Sequence, residues 1–146
     1  MADILSKRER SKLMARIRGR DTQPERFLRL ALRHRRIPYR AYRKIAGVTV
    51  DLILPTHRVA IFVHGCFWHG CPRHYTAPST HVRFWKEKVE RNKRRDVAQE
   101  AQVRRAGWNV VVVWEHALRL NGDRVADRLA RRARRWRTVR GPVARV

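Results

Sequence analysis

His64-Gly65-Cys66-Phe67-Trp68-His69-Gly70-Cys71-Pro72-Arg73-His74 brings three histidines, both cysteines of the chain and two adjacent large aromatics into eleven residues. The stretch follows the apolar run Val59-Ala60-Ile61-Phe62-Val63, which reads as a buried strand. Thiols and imidazoles are zinc ligands. Imidazole is also a general base near neutral pH, and aromatics beside such groups suit a flat partner such as a nucleobase. A hydrophobic core needs no such mixture. The residue types point to metal binding, acid–base chemistry and stacking at one strand end.

Four residues offer themselves as zinc ligands: Cys66, Cys71, His74 and, after a later apolar run ending at Trp114, His116. A C-x4-C-x2-H knuckle completed from a neighbouring strand end makes a closed tetrahedral site. The plainer alternative leaves the cysteines as small core residues and His116 on the surface. In a cytoplasmic setting thiols stay reduced, so two cysteines flanked by histidines favour metal over a disulfide. His64 and His69 are not needed for that set and stay available for acid–base work.

Asp51 sits within the apolar run Val48–Leu54, expected on the face opposite Val50 and Leu52. A buried carboxylate is costly without a cation or hydrogen-bond partner. A divalent metal is one solution, and an ion pair with an arginine is the plain one. Glu25 is explained equally well by a capping box with Thr22. Phe67 and Trp68 form either a stacking platform or a small satellite cluster, although adjacent aromatics in a glycine-bounded loop should not easily share one core face.

The elements that must position these groups can be read from periodicity and punctuation. Ser6 to Arg20 is a basic amphipathic segment with Leu13, Met14 and Ile17 on its apolar side. Thr22-Gln23-Pro24-Glu25 opens a helix to about Arg35, with Phe27, Leu28, Ala31 and Leu32 at helical spacing. Tyr39 to Arg43 reads as a strand. Val48–Leu54 and Val59–His64 are β-branched runs separated by Pro55-Thr56-His57, which predicts a hairpin placing Asp51 opposite residues 62 to 64 and beside His64. Phe84 to about Arg105 is a long basic helix ended by Gly107. Trp108–Trp114 is expected to be a central strand, and Asn121-Gly122-Asp123 caps a final arginine-rich helix with Val125, Leu129 and Ala133 inward. The order predicts a single α/β domain with a mixed sheet flanked by helices and a zinc-bearing loop.

The chain has 146 residues and 43% hydrophobic content, enough for one core. Its 36 Lys+Arg against 12 Asp+Glu give a net charge of +24. A surface this one-sided repels itself, and a polyanion is its natural partner. Part of the arginine content is also what a GC-rich genome would produce. No apolar run approaches the roughly 20 residues of a membrane span, and Met1–Lys7 lacks a signal peptide's apolar stretch. The expectation is a cytoplasmic, nucleoid-associated bacterial protein without membrane contact.

Taken together, Arg20-Asp21-Thr22-x-x-Glu25, Asp51, Phe62-Val63-His64-Gly65-Cys66-Phe67-Trp68-His69, Phe84-Trp85-Lys86-Glu87-Lys88, Asn92–Asp96 and Gly107-Trp108 leading to Trp114-Glu115 resemble the very short patch repair (Vsr) DNA mismatch endonucleases. The resemblance runs from about Ser11 to Leu118. It implies a restriction-endonuclease-like fold that nicks one DNA strand beside a T·G mismatch, the product of 5-methylcytosine deamination, using Mg²⁺. By position, Asp51 and the main-chain carbonyl of Val63 would hold magnesium, in keeping with metal-assisted in-line displacement. His69 would be the general base, with His64 and Glu25 supporting water and phosphate. Phe67, Trp68 and Trp85 would wedge into the duplex, Met14 would approach from the other groove, and Lys88 and Asn92 would contact the mismatched pair.

In the same terms residues 1–20 form a basic DNA-contacting segment and 21–146 the endonuclease domain, a monomer with mismatched duplex DNA and other repair proteins as partners. Three features depart from the family, the first being an atypical segment Lys44–Thr49. Val50 replaces the proline common before the aspartate, and positions 74 and 116, often cysteine, are both histidine. Two other readings stay open: a nicking endonuclease without a mismatch requirement, and a non-catalytic zinc-containing nucleic-acid-binding module.

Overall fold

A computed structural model describes residues 6–9 and 20–139, with side chains as far as 135. Met14, Leu13 and Ile17 lie outside the described residues. Helix α1, Gln23–His34, starts with a proline in its first turn and buries Leu28, Ala31 and Leu32, one stripe at helical spacing. Phe27, expected on that stripe, is instead exposed. Strands β1 (Arg40–Ile45), β2 (Val48–Leu54) and β3 (Val59–His64) follow. Helix α2, Val82–Arg105, leads to β4, Asn109–Trp114, and the chain passes directly into α3, Glu115–Val139.

The sheet order is β1-β2-β3-β4. β1 and β2 pair antiparallel, as do β2 and β3, while β3 and β4 are parallel. The parallel pair needs a crossover, and the long helix α2 supplies it. β4 therefore lies at the sheet edge, not centrally as its apolar sequence implied. Helices on both faces explain that composition: Val111 and Val113 join a core with α1 and α3, and Val110 and Val112 pack against a second core that includes Val103 of α2.

α3 bends at Asn121, where φ is −163° and ψ is 89°. Asn121 Oδ1 accepts the Arg124 N–H at 3.0 Å, so the asparagine caps the second part of the helix as its sequence indicated. Among the described residues no helix is long and apolar enough to cross a membrane.

Candidate active site and metal centre

β2 and β3 pair Leu52 with Ile61, Ile53 with Ala60 and Leu54 with Val59. That register carries Asp51 to the level of Phe62, and Asp51 Oδ2 accepts the Val63 N–H at 2.8 Å. On the other side, the β1–β2 ladder is interrupted between Ala41–Leu52 and Arg43–Val50. Tyr42 occupies the gap with φ of 53°, left-handed backbone that a tyrosine rarely adopts.

Val48 and Val50 consequently belong to one core, while Leu52 and Leu54 belong to the other. The expectation that Val50 and Leu52 share a face is corrected: the strand turns over at Asp51. Irregular pairing of this kind re-aims a side chain. Among the described residues no lysine or arginine forms an ion pair with Asp51. Burial, with help from Glu25 and Asp96, pushes its carboxyl up to about 6, against the opposing Val63 N–H and His69.

His64 ends β3, buried, with its ring stacked on His69 at 4.1 Å and 2° and edge-on to Trp114 at 5.3 Å. Burial, then the neighbouring His69, pushes His64 down to about 4, so it is neutral at pH 7. His69 Nδ1 meets Asp96 Oδ2 of α2 at 2.6 Å. With Asp96 ionised, Nδ1–H donates and Nε2 keeps its lone pair. Asp96 had no assigned role in the sequence. Its one signal there is an acid among Lys93, Arg94 and Arg95 that the helix buries.

Glu25 is 3% exposed. Thr22 makes no side-chain cap, so the capping box is not formed as expected. The Glu25 carboxylate instead accepts the Asp21 N–H at 3.0 Å and the Tyr42 hydroxyl at 2.5 Å. The Tyr42 hydroxyl also accepts the Asp21 N–H and an Arg29 N–H, and Arg20 lies over its ring at 5.1 Å. Tyr42 is thus a second residue that sequence reasoning missed.

Phe67, Trp68 and Trp85 form one edge-to-face cluster, with ring centroids 5.1 to 6.0 Å apart. Phe67 and Trp68 do share a face, contrary to expectation. Trp85 is only 7% exposed and acts as the floor beneath them, whereas its neighbour Phe84 is 45% exposed. Asn92 Nδ2 donates to the Trp68 carbonyl at 2.8 Å and anchors this loop to α2. Gly70 lets the loop come so close: its φ is +60°, and a Cβ there would meet Val89 at 2.9 Å and collide with Lys93.

Consecutive turns, Cys71 N–H to Cys66 O at 2.9 Å and Tyr75 N–H to Cys71 O at 3.1 Å, fold the knuckle. Glu115 Oε1 accepts the Cys66 N–H at 3.0 Å, which joins the knuckle to the start of α3. The ligand atoms of Cys66, Cys71, His74 and His116 all lie within 4.8 Å of one another. The S···N separations are 3.3, 3.5 and 3.8 Å. A tetrahedron with bonds of about 2.0–2.3 Å has edges of about 3.3–3.8 Å. Donor types and spacing both fit zinc.

A cleft of about 1080 Å³ is lined by Glu25, Asp51, His64, Trp68, His69 and Asp96 among others, while the Cys66, Cys71, His74 and His116 cluster lies outside its lining. Val63, Phe67, Lys88 and Asn92 also line the cleft. The DNA mismatch endonuclease Vsr family model matches residues 2–75. The chain is 33% identical to the DNA mismatch endonuclease Vsr of Escherichia coli, over 100% of this chain and 94% of that protein. The chain belongs to the Vsr family.

This Vsr-family chain is therefore a DNA endonuclease with a mixed sheet flanked by helices. It is also 39% identical to the type II nicking enzyme V.XorIIP of Xanthomonas oryzae pv. oryzae, over 79% of this chain and 85% of that one. Among solved structures, the catalytic domain of the homing endonuclease I-Bth0305I aligns with a TM-score of 0.49 and 21% identity, covering 75% of this chain and 92% of that one.

Proposed function

We propose that this Vsr-family chain nicks one strand of duplex DNA beside a T·G mismatch, in repair of deaminated 5-methylcytosine, with Mg²⁺ in the cleft and a structural Zn²⁺ in the knuckle. The observation that carries the reading is that one loop supplies both His69, which α2 pairs with Asp96, and the Phe67–Trp68 platform. A base opened against the platform leaves its phosphate beside the proton acceptor.

Asp51 and the Val63 carbonyl would hold magnesium. Asp51 fits that role because it is a largely buried carboxylate with no cationic partner among the described residues, and the Val63 N–H occupies one of its two oxygens. When bound, the ion stabilises charge on the phosphate and acidifies a bound water. His69 Nε2 takes the proton of the attacking water while Asp96 holds the ring's tautomer. Neutral His64 keeps that ring parallel to its own, and Glu25 orients water and phosphate from the far wall. Phe67 and Trp68 stack on bases with Trp85 as their support. Lys88 and the remaining polar atoms of Asn92 face the mismatched pair. Cys66, Cys71, His74 and His116 would hold zinc and fasten the loop.

Nicking of T·G and matched duplexes of identical flanks, with Mg²⁺ or with EDTA, tests the proposal. The expected result is Mg²⁺-dependent cleavage of one strand of the T·G duplex alone. Equal nicking of both duplexes would favour the mismatch-independent reading, which the relatives named nicking enzymes make the relevant rival. Binding without cleavage of either would support the non-catalytic module.

A further inference from the structure

The second part of α3, residues 122–139, has no role in the chemistry above. Among its described side chains, Ala126, Leu129 and Ala133 are buried. At 3.6 residues per turn, Arg124, Arg128, Arg131 and Arg135 fall in a stripe about 60° wide, centred about 160° around the helix from those buried residues. All four are exposed, and exposed Arg132 and Arg134 flank them.

The acids of this stretch lie at one edge of the stripe, where Asp127 also feels Arg131 one turn on. Asp123 and Asp127 project to the side that meets α1, where Arg35 binds them at 2.9 and 2.7 Å. The stripe is about 16 Å long, which matches the phosphates of about five base pairs along one strand. α3 packs with α1 on one sheet face, whereas α2, which forms a wall of the cleft, covers the other. Pro24 and Glu25 of α1 and Glu115 at the start of α3 also line the cleft, but none of these arginines does, and their stripe faces away from the buried side of α3.

We propose that this stripe is a second DNA-binding surface that holds a separate duplex segment by its phosphates while the cleft holds the first. Arginine forks suit phosphate oxygens, and such contacts read no sequence. An enzyme that grips two segments can pass between them without free diffusion, which shortens the search for a rare lesion.

The test uses the full chain in an Asp51→Ala background to prevent cleavage. An immobilised 20-base-pair T·G duplex is saturated with protein, and capture of a second, fluorescent matched 20-base-pair duplex is measured. The parent should retain the second duplex, with a log–log salt slope near −4 for about four phosphate contacts. Arg124→Gln/Arg128→Gln/Arg131→Gln/Arg135→Gln should lower that capture at least tenfold. With Asp51 intact, the same four changes should leave single-turnover nicking of the short T·G duplex unchanged. Glutamine keeps helix propensity, and the Arg→Lys quadruple variant, which keeps the charge, should retain most of the capture. Failure of the parent to bind a second duplex, or equal capture by the glutamine variant, would overturn the proposal. So would a loss confined to a longer single duplex, which would place the stripe on a flank of the DNA in the cleft.

Discussion

His69 Nδ1 and Asp96 Oδ2 lie 2.6 Å apart, joining a loop residue to a buried acid on the long helix. The contact determines which imidazole nitrogen can accept a proton. Asp96→Asn should present an amide that binds equally well to either tautomer. Single-turnover cleavage should fall about 10²–10⁴-fold, the usual range for a general base, with duplex binding retained. His69→Ala should cost a similar factor, and the double variant little more, because the two act as a unit. Additive losses in rapid-quench assays would separate their roles.

Asp51→Asn should abolish Mg²⁺-dependent cleavage and leave DNA binding intact. In the metal-free protein the Asp51 carboxyl is raised from 3.8 to about 6. A raised folded value means its contribution to stability is fully present below about pH 3.8 and is lost as pH rises through about 6. The asparagine variant without metal should therefore be more stable than the parent at pH 7.5, by about 1–3 kcal/mol, and show no such gain at pH 4. His64 has the opposite sign: held down to about 4 from 6.5, it costs stability as pH falls from 6.5 through 4. Denaturant midpoints across pH check both. Apparent Mg²⁺ affinity should also drop as pH falls below about 6, because the ligand must be deprotonated.

Purified protein should carry one zinc, and Cys66→Ser or Cys71→Ser should lose it. Chelation should lower the melting temperature and loosen the whole of the 65–80 loop, because a structural zinc contributes folding energy directly. Elemental analysis and hydrogen exchange give the readouts. Zinc retained in His116→Ala would place the fourth ligand elsewhere.

Trp68→Ala should weaken binding to a T·G duplex more than binding to a matched duplex at the same salt. Stacking is worth roughly 1–3 kcal/mol per base, whereas matched-duplex binding rests on phosphates and salt. Equal losses in fluorescence titrations would reduce the aromatic cluster to packing.

Tyr42→Phe removes the hydroxyl that ties Glu25 to the Asp21 N–H. The variant should lose about 0.5–1.5 kcal/mol of stability and should cleave more slowly with unchanged duplex affinity. Wild-type rates would show that Glu25 is held well enough by Arg29 and the Asp21 N–H.

Much of this was legible in the residues. The β-branched runs and Pro55 marked β2 and β3 to the residue, and the resulting hairpin put Asp51 level with residues 62 to 64. The C-x4-C-x2-H spacing anticipated a knuckle that His116 joins across the sheet. What escaped depended on packing between distant segments. Asp96 is one acid in a basic helix until that helix crosses beneath His69. Tyr42 looks like any strand aromatic, because nothing local signals a left-handed residue opposite Asp51. Glu25 satisfied a local capping rule, and the tertiary partner Tyr42 then took precedence. The apolar β4 looked central because helices on both faces bury an edge strand as well as neighbouring strands would.

The turnover of β2 at Asp51 has a consequence for how this enzyme responds to mutation. Val50, on one side of the aspartate, is packed with Phe62 and Val103, while Leu52, on the other, is packed with Leu28 and Leu129. The Asp51 carboxylate, the proposed magnesium ligand, is thus the seam between two interiors that otherwise share only the sheet. A methyl group removed beneath α2 or between α1 and α3 should therefore disturb the same side chain from opposite faces of the sheet. Cavity variants of the two interiors should shift the optimum between Mg²⁺ and the larger Mn²⁺ in opposite senses, so selection could tune the metal centre without touching a residue that lines the cleft.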